Sequence, residues 1–212
     1  INTTPTPVPQ LTEYVLITDE RALITGEKYI IVGVNDSIYK ALGKQNDNNR
    51  SAVAVTPSND TITVTPANLP GLDAVYELTL GQDNGNWTFY SAADSGYLYA
   101  ASSSKNYLRT QAQNDANGQW TIEIAGDGKA TITAQGNNSR KSLRYNSGNS
   151  LFACYAASSD MLQAYLYKAG DIPTPPAPTY YTISVADGIA NGTVTVSDTV
   201  AEAGALITVT AT

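Results

Sequence analysis

Few side chains in this chain could carry chemistry, and they are scattered. There is no histidine. That removes Ser-His-Asp and Cys-His nucleophilic arrangements, His-ligated zinc, and any imidazole acid or base. The single cysteine, Cys154, rules out an internal disulfide. It sits in the strand-like run 150–155, where a lone cysteine reads as a small buried hydrophobe rather than a nucleophile. Paired carboxylates could hydrolyse glycosides, but Glu13, Glu27, Asp73 and Glu77 are dispersed. Alternation places Glu77 on the outward face of its strand, as a solvated charge. Glycines fall singly in turns, so no phosphate-cradling loop is present. Asn46-Asp47-Asn48-Asn49, Asp83-Asn84-Gly85-Asn86 and Asn114-Asp115-Ala116-Asn117 offer clustered oxygens for calcium. None has the twelve-residue loop with a terminal Glu, and hairpin turns use Asn and Asp for their own backbone geometry. The expectation is no catalytic residue, no cofactor and no metal.

Charge narrows the partners. A net charge of −7 and a pI near 4.4 oppose binding to nucleic acid, which needs a basic face, and docking on an anionic membrane. Arg140, Lys141 and Arg144 form a local basic patch, read as a solvated turn. No run of 18 apolar residues exists, so no membrane insertion is expected. The chain opens on Ile1 without a signal sequence and reads as an excised piece, a mature form or a proteolytic product.

The elements that must position any site are strands. The chain is 42% hydrophobic, enough for a core. Its 14 Tyr against 2 Phe suit half-buried strands and wet binding surfaces. Alternation and Gly/Asn/Asp/Ser turns dominate, which predicts an all-β chain. Two Thr/Pro-rich spacers, 1–10 and 170–179, bracket a main domain at 11–169. The tail 180–212 predicts three strands, 181–185, 192–197 and 205–210, with turns at Asp187-Gly188 and around Gly204. So thin a sheet is expected to be part of a larger domain or to pack on its neighbour.

Within 11–169, a lead strand at 14–17 precedes three sets of four strands that can be laid over one another. Their first strands are 28–32, 87–90 and 130–133; the second are 38–42, 96–100 and 142–145. The third are 52–55, 107–110 and 151–154, and the closing strands are 75–80, 119–124 and 164–169. Tyr76, Trp120 and Tyr165 stand at nearly equal intervals on these closing strands. Aromatics so placed would fill the axis of a threefold barrel; the bland alternative is three unrelated hairpins. The insertion 59–72 reads either as a functional loop or as a hairpin covering one end of the barrel.

Asn114-Asp115-Ala116-Asn117-Gly118-Gln119-Trp120, followed by alternating apolar residues, resembles the Gln-x-Trp closing segment of ricin-type β-trefoil lectins. The resemblance covers 11–169 and implies a β-trefoil-like barrel. Here Gln119 directly precedes Trp120, and the other two repeats carry Tyr. The pattern of GEKYIIVG, YKALGKQN and GYLYAASSSKNYLRTQ also resembles modules of secreted Bacteroidetes proteins. The tail, NGTVTVS and AGALITVTAT, resembles the start of bacterial surface-protein β-repeats. That likeness implies a multidomain protein at the cell surface or outside the cell. It further implies that the Asp-Ser/Thr-apolar triplets at Ser37, Thr61 and Thr199 are O-glycosylation candidates.

A ricin-type sugar site has an Asp after the second strand, an aromatic on the third, and an Asn shortly before the Trp. Asn117 fits the last role. Ala100-Ala101-Ser102 and Leu108 replace the first two, so the galactose-type site is expected to be absent. Any sugar contact would then use the Tyr-rich turns around Tyr97, Tyr99, Asn106 and Tyr107, with rings against the apolar sugar face and amides for its hydroxyls. The expected role is a non-catalytic binding module for glycan or another extracellular polymer, tethered to other domains of its chain. The rival role is a structural spacer with no small ligand.

Overall fold

The computed structural model describes residues 10–170, 180–186, 190–202 and 205–212. The two spacers, apart from Gln10 and Gly170, and the turns at Asp187-Gly188 and Gly204 lie outside the described residues. The described residues form two compact units that divide after Asp171.

The first unit opens with β1 (Thr12–Leu16). The first repeat follows as β2 (Lys28–Asn35), β3 (Ile38–Asn46) and β4 (Asn49–Val55), the insertion strands β5 (Pro57–Ser58) and β6 (Thr61–Val64), and β7 (Leu78–Asp83). The second repeat is β8 (Asn86–Ser91), β9 (Gly96–Ala100), β10 (Leu108–Gln111) and β11 (Trp120–Ile124). The third is β12 (Lys129–Ala134), β13 (Ser142–Asn146), β14 (Leu151–Tyr155) and β15 (Ala164–Ala169). Turn chemistry sets the joints. Asn84 and Gly85 both adopt positive φ between β7 and β8, the Asn-Gly pattern whose twist matches that of the flanking strands.

First and closing strands make a ring. β2 pairs with β7, β7 with β8, β8 with β11, β11 with β12, β12 with β15, and β15 returns to β2, all antiparallel. The middle strands of each repeat form the hairpins β3–β4, β9–β10 and β13–β14, and each is joined to its repeat's first strand. A closed six-stranded ring with three hairpins is the β-trefoil arrangement, and the fold is all-β. Closure leaves the ring without a free edge.

The core explains the closing-strand aromatics, with one correction. Tyr76 and Trp120 are fully buried in the barrel core, although Tyr76 precedes β7 rather than lying within it. Tyr165 does not join them. Its neighbour Ala164 is the buried core residue, at the same interval from Trp120 as Trp120 is from Tyr76. Because side chains alternate, a one-residue slip exchanges the faces. Tyr165 and Tyr167 therefore face outward, where Tyr167 is buried in a second apolar cluster with Tyr14, Ile30, Val32 and Ile62. Burial pushes the Tyr167 phenol up to about 12. The third aromatic comes instead from the hairpin. Ala164 pairs with Gly33, and Tyr145 lies so close over Gly33 that an added Cβ would come within 2.1 Å of its ring.

The insertion lies along a wall of the barrel through β6, and beyond β6 Ala67 packs on the barrel core and Leu69 O accepts from the Tyr76 hydroxyl. β6 pairs with β1, and β1 pairs with β15. Residues 17–26 meet the closing strand of every repeat instead: Ile17 N–H donates to Leu166 O, Gly26 N–H to Leu80 O, and Ile124 N–H to Glu20 Oε1. Tyr29 holds this segment from inside. Its hydroxyl donates to Ala22 O (2.7 Å) and accepts from Ile24 N–H (2.9 Å). Tyr29→Phe strands both backbone groups, and urea unfolding should report a loss of about 1–3 kcal/mol.

The second unit pairs β16 (Tyr180–Thr182) with β18 (Val200–Glu202), and β17 (Val194–Val196) with β19 (Val209–Ala211). Among the described residues, four short strands thus stand where three were expected. Residues 200–202 gain strand character only by pairing with a segment some twenty residues away, which local alternation does not reveal.

Candidate functional site

The three hairpins converge on one cleft of about 310 Å³, lined by residues 46–51, Tyr107 and residues 149–151. Each repeat contributes a wall. The first wall is the β3–β4 turn, where Asp47 takes a positive φ of 52°. Gln45 Nε2 ties this turn by donating to the carbonyls of Asp47 and Asn49, both at 3.0 Å. The turn is also bound to the second repeat: Leu108 N–H donates to Asn48 O (3.1 Å) and Asn49 Oδ1 (3.2 Å). That contact places Tyr107 beside the asparagines. β14 closes the third side through the pairs Ser51 with Leu151 and Arg50 with Phe152. Ser150, at φ 51°, accepts from Lys40 Nζ at 3.1 Å.

The lining is amide- and hydroxyl-rich, with one aromatic ring and one aliphatic side chain. Asn46, Asp47 and Asn149 are exposed, while Asn48, Asn49, Ser51, Tyr107, Ser150 and Leu151 are half-buried. Asn48 Nδ2 donates to Asp47 Oδ2 at 2.7 Å. Arg50 is 0% exposed and its guanidinium is engaged elsewhere. It donates to Gly43 O, Asp94 Oδ2 and Thr110 Oγ1 and lies 4.7 Å from the centre of the Tyr76 ring. Burial pulls the Arg50 pKa down, and the Asp94 carboxylate opposes that.

The structure does not bring the five expected site residues together; of these only Tyr107 lines the cleft. Tyr97 and Tyr99 lie half-buried on one face of β9, opposite Gln111 and Arg109, and Tyr97 meets Tyr90 edge-on at 5.1 Å. Asn106 Oδ1 accepts from Arg140 Nη1 at 2.6 Å. Asn117 stands in a 3-10 turn, its N–H donating to Asp115 Oδ1, with its side chain packed on Gly136. The cleft's asparagines read in the sequence as turn residues or as oxygens for calcium, not as a ligand-facing wall. Their excess over what one turn needs, beside a strand-edge Tyr, was the available signal.

Other candidate groups are absorbed by structure. Asp83 Oδ2 accepts from Asn114 and Gln119, and Asp115 Oδ1 from Gln111. No group of three or more Asp, Glu or Cys suited to a metal ion occurs among the described residues. Cys154 is fully buried, which pushes its thiol far up and away from nucleophilic chemistry. Glu77, expected as a solvated charge, accepts hydrogen bonds from Tyr14 and Lys28 and is only 16% exposed. Lys141 Nζ donates to Gly136 O. Ser37 and Thr199 are exposed and Thr61 is half-buried. Among the described residues no helix is long and apolar enough to cross a membrane.

No family model matches the chain, and no curated protein does. Solved structures do. A GH43 β-1,3-galactosidase matches 74% of this chain and 29% of its own, at 13% identity and a TM-score of 0.48. The lysenin pore matches 70% and 48%, at 16% identity and 0.46. Cry35Ab1 matches 82% and 47%, at 18% identity and 0.44. The chain spans less than half the length of each. The trefoil assignment rests on the strand ring itself.

Proposed function

We propose that the first unit is a non-catalytic binding module of a secreted or surface-attached multidomain protein, recognising glycan or another extracellular polymer. The observation that carries this reading is the three-hairpin cleft. Its size lies at the lower end of small-molecule pockets, about 300–1,000 Å³. Its one ring, single aliphatic side chain and several amides match a ligand with an apolar face and many hydroxyls. It holds nothing resembling a nucleophile with a base, nor two carboxylates. The ricin-type resemblance supports the ligand class but not the site, because the family's Asp and aromatic are missing.

A spacer gains less support. β1 and β15 pair at Tyr14 and Ala169, and Gly170 N–H donates to Glu13 O at 2.8 Å. The first unit therefore takes in and returns the chain at one place and adds little reach.

A glycan array followed by calorimetry, using the full chain, tests the reading. At least one ligand should bind in the micromolar to millimolar range. Tyr107→Ala should weaken it about tenfold, near 1.4 kcal/mol, at unchanged melting temperature. Silence of every host and plant polysaccharide at millimolar concentration would overturn it.

A further inference from the structure

We infer that the cleft is one composite site for the uncharged end of a glycan chain, filled once per module and selective against acidic sugars. This rests on the proposed binding role and adds where the ligand sits and what it excludes. A threefold scaffold can carry three equivalent sites, one per repeat. This cleft cannot be repeated. The first hairpin supplies its asparagine turn, the second supplies Tyr107, and the third supplies Asn149 and Ser150. The three contributions differ, so the stoichiometry is one. A volume of about 310 Å³ suits a terminal unit better than the middle of an extended polymer.

Charge selection follows from what the two basic residues at the border do. Arg50 lines the cleft, but its side chain is 0% exposed. Nη1 donates to Asp94 and Thr110, the group lies over the Tyr76 ring, and Nη2, without a partner, is buried out of reach of solvent. Lys40 Nζ donates to Ser150 Oγ, and Lys40 does not itself line the cleft. At the mouth stands Asp47, exposed, with its carboxylate oriented by Asn48. A uronate or sulfated sugar would meet that carboxylate on a protein of net charge −7. A neutral pyranose can lay its apolar face on the half-buried Tyr107 ring and place hydroxyls among Asn46, Asn49 and Asn149.

Asp47→Asn is the discriminating substitution, since Asn tolerates the positive φ at this position. The full chain is titrated with the neutral oligosaccharide that binds best on the array and with its uronic-acid counterpart, followed by calorimetry and amide chemical shifts. Wild type should take one equivalent of the neutral ligand, with shifts confined to residues 46–51, 107 and 149–151. Asp47→Asn should shift the ratio of uronate to neutral affinity about fivefold toward the uronate, the scale of one exposed charge a few ångströms away. Shifts centred on Tyr97 and Tyr99, three equivalents bound, or a wild-type preference for the acidic sugar would overturn the inference while leaving the binding-module reading standing. A silent array would remove that reading and the site with it.

Discussion

Arg50→Ala should lower the unfolding free energy by about 3–5 kcal/mol, measured by urea denaturation of the isolated chain. The size comes from how many parts one guanidinium joins. Nε donates to Gly43 O at 2.9 Å in the first hairpin. Nη1 donates to Asp94 Oδ2 at 2.6 Å in the β8–β9 turn and to Thr110 Oγ1 at 2.9 Å on β10. Its carbon lies over the Tyr76 ring at the barrel core. Truncation leaves the Asp94 carboxylate, only 11% exposed, with Ser91 Oγ as its remaining side-chain donor. An uncompensated buried charge is the costly outcome, more than the pair itself is worth. Removing both charges in Arg50→Met with Asp94→Leu should therefore recover much of the loss. Arg50→Lys should not, since one ammonium cannot reproduce the planar fork. A loss under about 1 kcal/mol for Arg50→Ala would show that this ion pair does not hold the hairpins to the barrel.

Tyr145→Ala should cost a similar amount, about 3–5 kcal/mol, by emptying the place where the third repeat lacks a closing-strand aromatic. Tyr145 is 2% exposed, its ring 5.1 Å from Phe152 and pressed against Gly33. Gly33→Ala alone should cost about 1–3 kcal/mol or more, because the new methyl collides with the ring. On the Tyr145→Ala background the same methyl enters vacated space and should cost far less. The double-mutant cycle should then show a coupling of about 0.5–3 kcal/mol. Additive losses would mean that the ring does not occupy this position in solution.

The ring of first and closing strands was legible because hairpin turns and alternation recur three times. The slip at Tyr165 shows the limit of that signal. In Ala164-Tyr165-Leu166-Tyr167 both faces are apolar, since one lines the barrel and the other lies in the cluster that includes β1 and β6. Alternation then cannot say which face is inside, and expecting the larger ring in the core gave the wrong one. The cleft was illegible for another reason. It depends on contacts such as Asn49 with Leu108 and Ser51 with Leu151, and no local pattern announces which turns will meet. Arg50 looked like any polar strand residue, although its burial decides how two hairpins are joined. Tyr107 reads in the sequence only as one of several Tyr-rich turn residues, and it is the contact of Leu108 with the first hairpin that sets it at the cleft.

The pairing of β1 with β15 has a mechanical consequence. Thr12 and Ala169 lie toward the same end of two antiparallel neighbours. Tension transmitted through the chain on either side would peel these strands apart one hydrogen bond at a time, rather than shearing several together. The first unit, pulled through both of its ends, would then yield first along β1, at low force. The closed six-strand ring would be left to resist on its own.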